Sequence, residues 1–191
     1  MRKVVLVKDP GEKEIRVNYA KDGRKSEFSV LIIAVGDNKY RLKLAIHHTA
    51  SNTSGRAVVK GIVKDCARVD VEGLVKVAKS LEHVESYLEI KLLLVGEEAQ
   101  GFAEPGLEIE SNEVSVGHSV TIGRIRDEEI LCLQSRGIEE ERAKGMLIHG
   151  FLREELELLS PENKVTILSK LGNTGKSANN RDHPYFRDDP Y

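Results

Sequence analysis

The pattern that most constrains the fold is a set of apolar pairs in which the two residues are spaced two apart. The pairs form two groups, Val69/Val71 with Val75/Val77, and later Leu107/Ile109, Val114/Val116 and Val120/Ile122. Within each group, neighbouring pairs begin six or seven residues apart. Residues two apart in a β-strand point to the same face. Two inward residues followed by a short polar bend describe one side of a coil in a β-helix. The pattern therefore predicts a β-solenoid with corners at residues 111–113 and 117–119.

The N-terminal part of the chain also has strand character, although its pairing is less defined. Short β-favouring runs alternate with turns such as Asp9-Pro10-Gly11 up to about Ile46, and these runs fit an antiparallel sheet equally well. The chain has no Trp and only 5% aromatic residues. We therefore expect a core built from Val, Ile and Leu, the residues that favour sheets.

A change to helical patterns follows Ile125. Asp127 is a candidate N-cap and Gly137 a candidate C-cap of a first short helix. A longer helix is predicted to start near the acidic run at residues 139–141, and a third at Pro161. We predict a β-helix core over residues 1–125, a helical segment over 126–172 and a disordered tail over 173–191.

Composition narrows the classes of function. The net charge is −2, with 29 basic and 31 acidic residues and no long basic run, which argues against a nucleic-acid partner. No apolar stretch approaches the roughly 20 residues that a membrane-spanning helix needs. Cys66 and Cys132 are the only thiols. We therefore expect a cytoplasmic protein with neither disulfides nor a membrane partner.

Four ordered segments carry a resemblance to a known family. Residues 104–123, 126–138 and 145–151 resemble the end of the SufB/SufD β-helix core, its junction into helices and the helix that follows. Residues 47–62 are similar to the family's Gly-Arg-Ala strand, here Gly55-Arg56-Ala57, with its preceding histidine-rich turn. The chain is thus identified as a short member of the SufB/SufD family of iron–sulfur cluster assembly proteins.

The resemblance implies a right-handed parallel β-helix followed by a C-terminal α-helical appendage. It implies a non-enzymatic scaffold or accessory subunit that pairs with a SufB/SufD-like subunit or with a second copy of itself. Members of the family also bind a SufC-like ABC-type ATPase through their C-terminal helices. Arg136, Arg142 and Glu154, on the non-apolar faces of these helices, are the residues expected to meet that ATPase.

One candidate metal ligand follows from the resemblance. His118 falls where family members carry a histidine, and a neutral imidazole there is a candidate ligand of iron or of a cluster. A corner histidine bonded to backbone is the open alternative. The glutamate and cysteine of the family's motifs are replaced here by Ser119 and Val116, so the chain resembles SufD more than SufB.

The two cysteines give little support for a stable cluster, which thiolates hold best. Cys66 lies near a strand end and is a weak candidate ligand, whereas Cys132, between two leucines, is expected to be a buried apolar residue. Their spacing is not that of a metal site. We therefore expect no tightly bound cofactor in this chain alone, and at most a transient iron or iron–sulfur cluster in a complex.

Three further interpretations concern histidines and alternative functions. The adjacent residues His47 and His48 would point to opposite faces of a strand, and a solvated turn is the favoured interpretation. A different class of function is a solenoid enzyme such as a hexapeptide acyltransferase, with His118 as general base. A β-helix with a purely structural role is a third hypothesis.

Overall fold

In a computed structural model of the chain, which describes residues 2–171, nine β-strands precede three α-helices. The strands are β1 (Lys3–Val7), β2 (Gly11–Tyr19), β3 (Lys25–Ala34), β4 (Lys39–His48), β5 (Ser54–Lys64), β6 (Arg68–Val77), β7 (Glu82–Val95), β8 (Gln100–Ile109) and β9 (Glu113–Arg124). The helices are α1 (Asp127–Gln134), α2 (Glu140–Leu158) and α3 (Pro161–Leu171).

Successive strands alternate between two sheets. Sheet A has the order β1-β3-β5-β7-β9 and sheet B the order β2-β4-β6-β8. In sheet B, Gly11 pairs in parallel with Tyr40, and Tyr40 with Val69, so one coil runs from each of these residues to the next. Neighbouring strands of each sheet are thus parallel and one coil apart in sequence, and a strand of the other sheet lies between them along the chain. This arrangement defines a β-solenoid. The predicted β-helix with C-terminal helices is confirmed, while its right-handedness stays a prediction.

The predicted short strands are wrong, because the solenoid uses strands of 9 to 14 residues after β1. The first two apolar pairs lie together on β6, and the last two lie together on β9. Gly73 occupies the inward position between the pairs of β6, where a Cβ atom would collide with the side chain of Leu88. The glycine therefore interrupts the apolar pattern without interrupting the strand.

The antiparallel alternative for the N-terminal part is also wrong. β1 pairs with β3 in parallel from Lys3↔Phe28 to Val7↔Ile32, and β2 pairs with β4 in parallel over its whole length. The turns between these strands, such as Asp9-Pro10-Gly11, carry the chain from one sheet to the other. The solenoid therefore includes β1 and β2.

The corners of the solenoid repeat one backbone conformation from coil to coil. Lys25, Ser54 and Glu85 are registered partners in sheet A. The residues two positions before them, Gly23, Asn52 and His83, all have left-handed φ values, of 71°, 56° and 54°. Glycine adopts this conformation freely, and asparagine and histidine adopt it more readily than most other residues.

The opposite corner follows the same rule. Gly36, Asp65 and Gly96 lie at equivalent positions after β3, β5 and β7, with φ values of 69°, 61° and 111°. The Asp65 carboxylate accepts a hydrogen bond of 3.0 Å from the Gly36 amide one coil below. The Cys66 amide donates to the Gly36 carbonyl at 2.9 Å. This corner is therefore linked from coil to coil.

The interior of the solenoid is filled by aliphatic side chains from both sheets. Val30, Ile32, Leu44, Ile46 and Ile90 are all fully buried. Most of this core is Val, Ile and Leu, as expected, and it also includes four alanines and three aromatic residues, Tyr19, Phe28 and Tyr40. Burial of such residues supplies most of the stabilising free energy of a fold of this kind.

The helical unit starts after Gly123, where the chain divides into two compact units. Arg126, not Asp127, is the N-cap of α1, and the Glu129 carboxylate accepts a hydrogen bond of 3.2 Å from the Arg126 amide. Ser135, not Gly137, is the C-cap of this helix. Gly137 lies two residues further on with a left-handed φ of 81°, and its amide donates to the Gln134 carbonyl. The starts predicted for α2 and α3 agree with the structure.

The predicted tail, residues 173–191, lies outside the described residues. Among residues 2–171, no helix is both long and apolar enough to cross a membrane.

Candidate functional site

The predicted iron ligand His118 lies within strand β9, so the corner predicted at residues 117–119 is wrong. Its side chain is exposed. Strand alternation places it on the same face as Val116 and Ile122. Val116 packs against the core, and Ile122 lies near Gly101 of β8, so this is the inward face of the last coil. His118 is therefore an accessible imidazole between apolar residues on the final strand of sheet A.

Cys66, the weaker candidate, lies at the corner between β5 and β6 and is exposed. Its thiol donates a hydrogen bond of 2.7 Å to the Glu98 carboxylate. That hydrogen bond raises the pKa of Cys66, with further contributions from burial and from the charges of Glu98, Asp65 and Asp37. The thiolate is the form that binds metals. The acidic corner thus favours the protonated thiol over the metal-binding thiolate.

The structure does not bring Cys66 and His118 together. A Cβ atom at Gly117 would lie 3.2 Å from the ring of Tyr87, and Tyr87 pairs with Arg56 near the start of β5. His118 is therefore level with the start of β5, whereas Cys66 follows its end. At about 3.3 Å per residue the two residues are roughly 30 Å apart. Within residues 2–171, no group of three or more His, Cys, Asp or Glu side chains could hold a metal ion.

The three predicted partner-binding residues are all exposed and belong to the helical unit. Arg136 lies in the turn between α1 and α2, Arg142 in the first turn of α2, and Glu154 in its second half. At 1.5 Å of rise per residue, Arg142 and Glu154 are about 18 Å apart along the helix axis. They are spread along the helical unit and do not form one compact patch.

Exposed apolar side chains accompany these charges. Leu131 of α1 is 62% exposed and Val165 of α3 is 65% exposed, with Met146 and Leu158 of α2 also exposed. Cys132 is exposed too, so the expectation that it is buried is wrong. α1 has no buried residue, because its eight residues give too short an apolar pattern to define a buried face. The helical unit thus presents a mixed apolar and charged surface.

A buried polar cluster, which the sequence did not predict, lies at the corner where β4 ends. His48 is fully buried at the end of β4, so the predicted solvated turn is wrong. Its imidazole stacks on Tyr19, with ring centroids 4.4 Å apart and an interplanar angle of 4°. Its Nδ1 is 2.8 Å from Thr53 Oγ1, and its Nε2 is 3.1 Å from Ser86 Oγ. We call these four residues the His48 cluster.

The hydrogen bonds of the cluster define the tautomer of His48. The Thr53 hydroxyl donates to the Ala50 carbonyl at 3.1 Å, so towards His48 it acts as acceptor. Nδ1 therefore carries the proton, and Nε2 accepts from the Ser86 hydroxyl. Burial lowers the pKa of His48 from 6.5 to about 4. The imidazole is thus neutral at neutral pH.

The contact between Ser86 and His48 has the geometry of a nucleophile and its base, but it is closed to solvent. Ser86 is 5% exposed and His48 is fully buried. A substrate could not reach the hydroxyl without opening the corner. The sequence contained a signal for part of this cluster. Tyr19 and His48 are separated by the same number of residues as Gly11 and Tyr40, which is the length of one coil, and they are therefore registered partners.

The outer face of sheet B carries ion pairs between side chains on adjacent strands. Lys43 pairs with Glu12 at 2.7 Å, Lys76 with Glu108 at 2.8 Å, and Arg41 with Glu72. Exposed pairs of this kind contribute little to stability. They give the face a balanced charge and keep it solvated.

The last strands of both sheets lie at sheet edges. β8 ends the order of sheet B and β9 ends that of sheet A. Four apolar residues on the inward-facing positions of these strands are 36–41% exposed: Leu107, Ile109, Val120 and Ile122. Backbone groups along such an edge can pair with another chain.

The architecture is that of a parallel β-solenoid protein with a C-terminal helical unit, and comparison with known proteins identifies its family. The family model described as "SUF system FeS cluster assembly, SufBD core domain" matches residues 4–151. The chain therefore belongs to the SufBD core family.

Individual relatives are consistent with this assignment. The chain is 34% identical over 128 residues to the iron–sulfur cluster assembly protein SufD of Escherichia coli, covering 66% of this chain and 30% of the relative. It is 28% identical over 139 residues to SufD of Bacillus subtilis, covering 73% and 32%. A SufBD family protein of Methanothermobacter thermautotrophicus is 31% identical over 110 residues, covering 58% and 26%. The chain thus matches about a third or less of the length of these relatives.

Proposed function

We propose that this chain is a non-enzymatic scaffold or accessory subunit of Suf-type iron–sulfur cluster assembly. The observation that carries the proposal is the match to the SufBD core over residues 4–151, which includes the solenoid, α1 and the first half of α2. The two SufD relatives are named as cluster assembly proteins. Both parts of the molecule are thus related to proteins of one assembly system.

Pairing with a SufB/SufD-like subunit, or with a second copy, is proposed to use the edges formed by β8 and β9. β9 is 12 residues long, and its backbone can extend sheet A by strand addition. The partner would also cover the exposed inward positions represented by Val120 and Ile122. Covering apolar side chains adds a favourable term to the backbone hydrogen bonds.

Binding of a SufC-like ABC-type ATPase is proposed to use the helical unit. Its surface offers exposed apolar anchors, Leu131 and Met146, together with the charges of Arg136, Arg142 and Glu154. Apolar anchors surrounded by charged groups are typical of specific protein interfaces.

Iron or a nascent cluster is proposed to be a transient cargo of the complex. His118 would contribute one imidazole ligand from the accessible inward face of β9. Most thiolates are proposed to come from a partner, because Glu98 favours the protonated form of the Cys66 thiol and Cys132 offers a single thiol in the helical unit.

Co-purification with the cognate Suf-type ATPase tests the central proposal. The full chain should form a stable complex, and a chain without residues 127–171 should not. The charge reversals Arg136→Glu and Arg142→Glu should weaken binding at least tenfold, whereas Glu12→Lys in β2 should leave it unchanged. Failure of the intact, folded chain to bind at micromolar concentrations would overturn the proposed function and leave the fold assignment standing.

An iron-binding assay separates an assembly role from a purely structural one. His118→Ala should lower iron or cluster loading of the complex, and His47→Ala, on sheet B, serves as the matched control. Equal loading of the two variants would rule out His118 as a ligand.

The hexapeptide acyltransferase alternative has lost its support. Hexapeptide solenoids are built on a six-residue repeat. Here the unit that repeats is a whole coil, which runs from Gly11 to Tyr40 in sheet B and from Ser54 to Glu85 in sheet A. The six-residue spacing seen in the sequence lies within single strands.

A further inference from the structure

The His48 cluster connects three successive coils of the solenoid. Tyr19 ends β2 in the first coil, His48 ends β4 in the second, and Ser86 belongs to β7 in the third. The ring stack joins the first coil to the second, and the hydrogen bond from Ser86 joins the second to the third. Thr53 fixes the imidazole from the turn that follows β4. One side chain therefore holds the corner together across three layers.

Backbone hydrogen bonds at the same corner involve the residues of this cluster and their neighbours. The Thr49 amide donates to the Tyr19 carbonyl, the Ala78 amide to the His48 carbonyl, and the Glu85 amide to the Thr53 carbonyl, at 2.9–3.0 Å. All three bonds run between adjacent coils. Movement of His48 would therefore disturb hydrogen bonds to the coil before it and to the coil after it.

The surroundings of His48 are suited to a neutral ring and not to a cation. The groups that meet it are the Tyr19 phenol from β2, the Thr53 hydroxyl from the following turn and the Ser86 hydroxyl from β7. Its registered neighbour on β6 is Val77. The charged group associated with the cluster is Arg24, whose guanidinium carbon lies 5.4 Å from the Tyr19 ring centroid.

Protonation would therefore disrupt the cluster. A cationic imidazole would have two N–H donors, whereas Ser86 is placed to donate to Nε2. The new charge would be buried without a carboxylate among the groups that contact it, and burial of an unpaired charge is costly.

We propose that the His48 cluster is an acid-sensitive latch, which holds three coils in register while His48 is neutral and opens this corner when His48 is protonated. The latch acts on the solenoid itself and does not depend on the proposed assembly role. Closed, it fixes the ends of β2 and β4 and the start of β7. Opening would release residues 49–53 first, because this turn is held by the ring through Thr53.

The pH dependence has a defined sign. The pKa of His48 is lowered on folding, so the unfolded chain binds the proton more tightly. The stabilising effect of the neutral ring is complete above about pH 6.5 and is lost as the pH falls towards 4. A pKa difference between 6.5 and about 4 corresponds to a change of roughly 300-fold in the opening equilibrium.

Nuclear magnetic resonance of the full chain tests the latch directly. The His48 ring should show the Nδ1-protonated tautomer at pH 7 and should titrate below pH 5. An ordinary titration near pH 6.5 in the folded chain would overturn the proposal. This readout uses the wild-type protein and does not rely on any variant folding.

Amide hydrogen exchange, corrected for its intrinsic pH dependence, tests whether opening is local. The Thr49, Ala78 and Glu85 amides should lose at least tenfold protection between pH 7 and pH 4. The Cys66 and Arg68 amides, which make equivalent bonds at the opposite corner, should change by less than threefold. Equal loss at both corners, or no loss at either, would contradict a local latch.

Two matched variants complete the test. His48→Gln keeps hydrogen-bonding groups but cannot titrate, and it should abolish the pH-dependent loss of protection at this corner. His47→Gln removes the neighbouring histidine on the opposite face of β4 and should leave that loss unchanged. A pH dependence that follows His47 instead would overturn the assignment to His48.

Discussion

A Cβ atom at Gly55 would lie 2.7 Å from the hydroxyl oxygen of Tyr19. Gly55 is the glycine of the Gly-Arg-Ala strand, and Tyr19 is the fully buried aromatic residue on which His48 stacks. The phenol is itself fixed, because its oxygen lies 2.7 Å from Ser26 Oγ. A motif that carried the family resemblance therefore has a packing role next to the His48 cluster.

The first prediction follows from this contact. Gly55→Ala should lower the free energy of unfolding by about 1–3 kcal/mol, the usual cost of overpacking a core. Gly123→Ala is the matched control, because nothing lies within 4 Å of its added methyl group. Urea unfolding monitored by circular dichroism would measure both. Equal stability of the two variants would contradict the packing role.

A second prediction concerns Gly73 and Leu88. The group that a Cβ atom at Gly73 would meet is a flexible leucine methyl, not a rigid ring. Gly73→Ala should therefore cost less than Gly55→Ala, and Leu88→Val should partly relieve it. In a double-mutant cycle the two changes should couple by roughly 0.5–3 kcal/mol, as expected for residues in contact. Additive effects would show that Leu88 does not restrict this position.

The third prediction tests the left-handed corners. His83 is exposed and has a φ of 54°, a conformation that glycine adopts without a steric penalty. His83→Gly should retain or raise stability, whereas His83→Val should lower it by about 1–2 kcal/mol. The midpoints of thermal unfolding of the two variants and the wild type give the comparison. A more stable valine variant would refute the interpretation.

A fourth prediction addresses the Cys66 thiol. Its raised pKa reduces the thiolate fraction at neutral pH, and the thiolate is the species that reacts with iodoacetamide. Glu98→Gln removes the carboxylate that accepts its hydrogen bond, so alkylation at pH 7.5 should become faster. The measurement is made in a Cys132→Ser background, so that only one thiol reacts. Glu97→Gln, the same loss of charge one residue earlier, should have a smaller effect.

Several features of the fold were predictable from local sequence. The alternating apolar residues indicated strands with one inward face, and the segments resembling the SufB/SufD family indicated a parallel β-helix. Pro161 and the acidic run before α2 marked helix starts because their effects act within one turn. These signals depend on neighbouring residues only.

The errors came from properties that depend on the adjacent coil. Gly73 and His118 stand at inward positions of long strands, so each divided one strand into two apparent short ones. Nothing near Gly73 in the sequence indicates that Leu88 fills the space above it. Strand length in a solenoid is set partly by side chains of the neighbouring coils, beyond the range of a local pattern.

The candidate site was predictable only in part, for the same reason. His118 was found through the family resemblance, and its location within β9 depended on the register of the last coil. The burial of His48 was not predicted, because a histidine between a histidine and a threonine indicates a polar, solvated segment. Its burial follows from Tyr19 in the preceding coil and Ser86 in the next one.

The registered spacing has a consequence for how the length of this molecule can vary. Val69 follows Tyr40 at the same spacing as Tyr40 follows Gly11, with left-handed residues at matching corners. Removal or duplication of the segment between two such positions would therefore preserve which side chains face inward and where the chain turns. A change of one residue within a strand would reverse the faces of everything that follows it. The length of this solenoid is thus expected to change by insertion or deletion of whole coils.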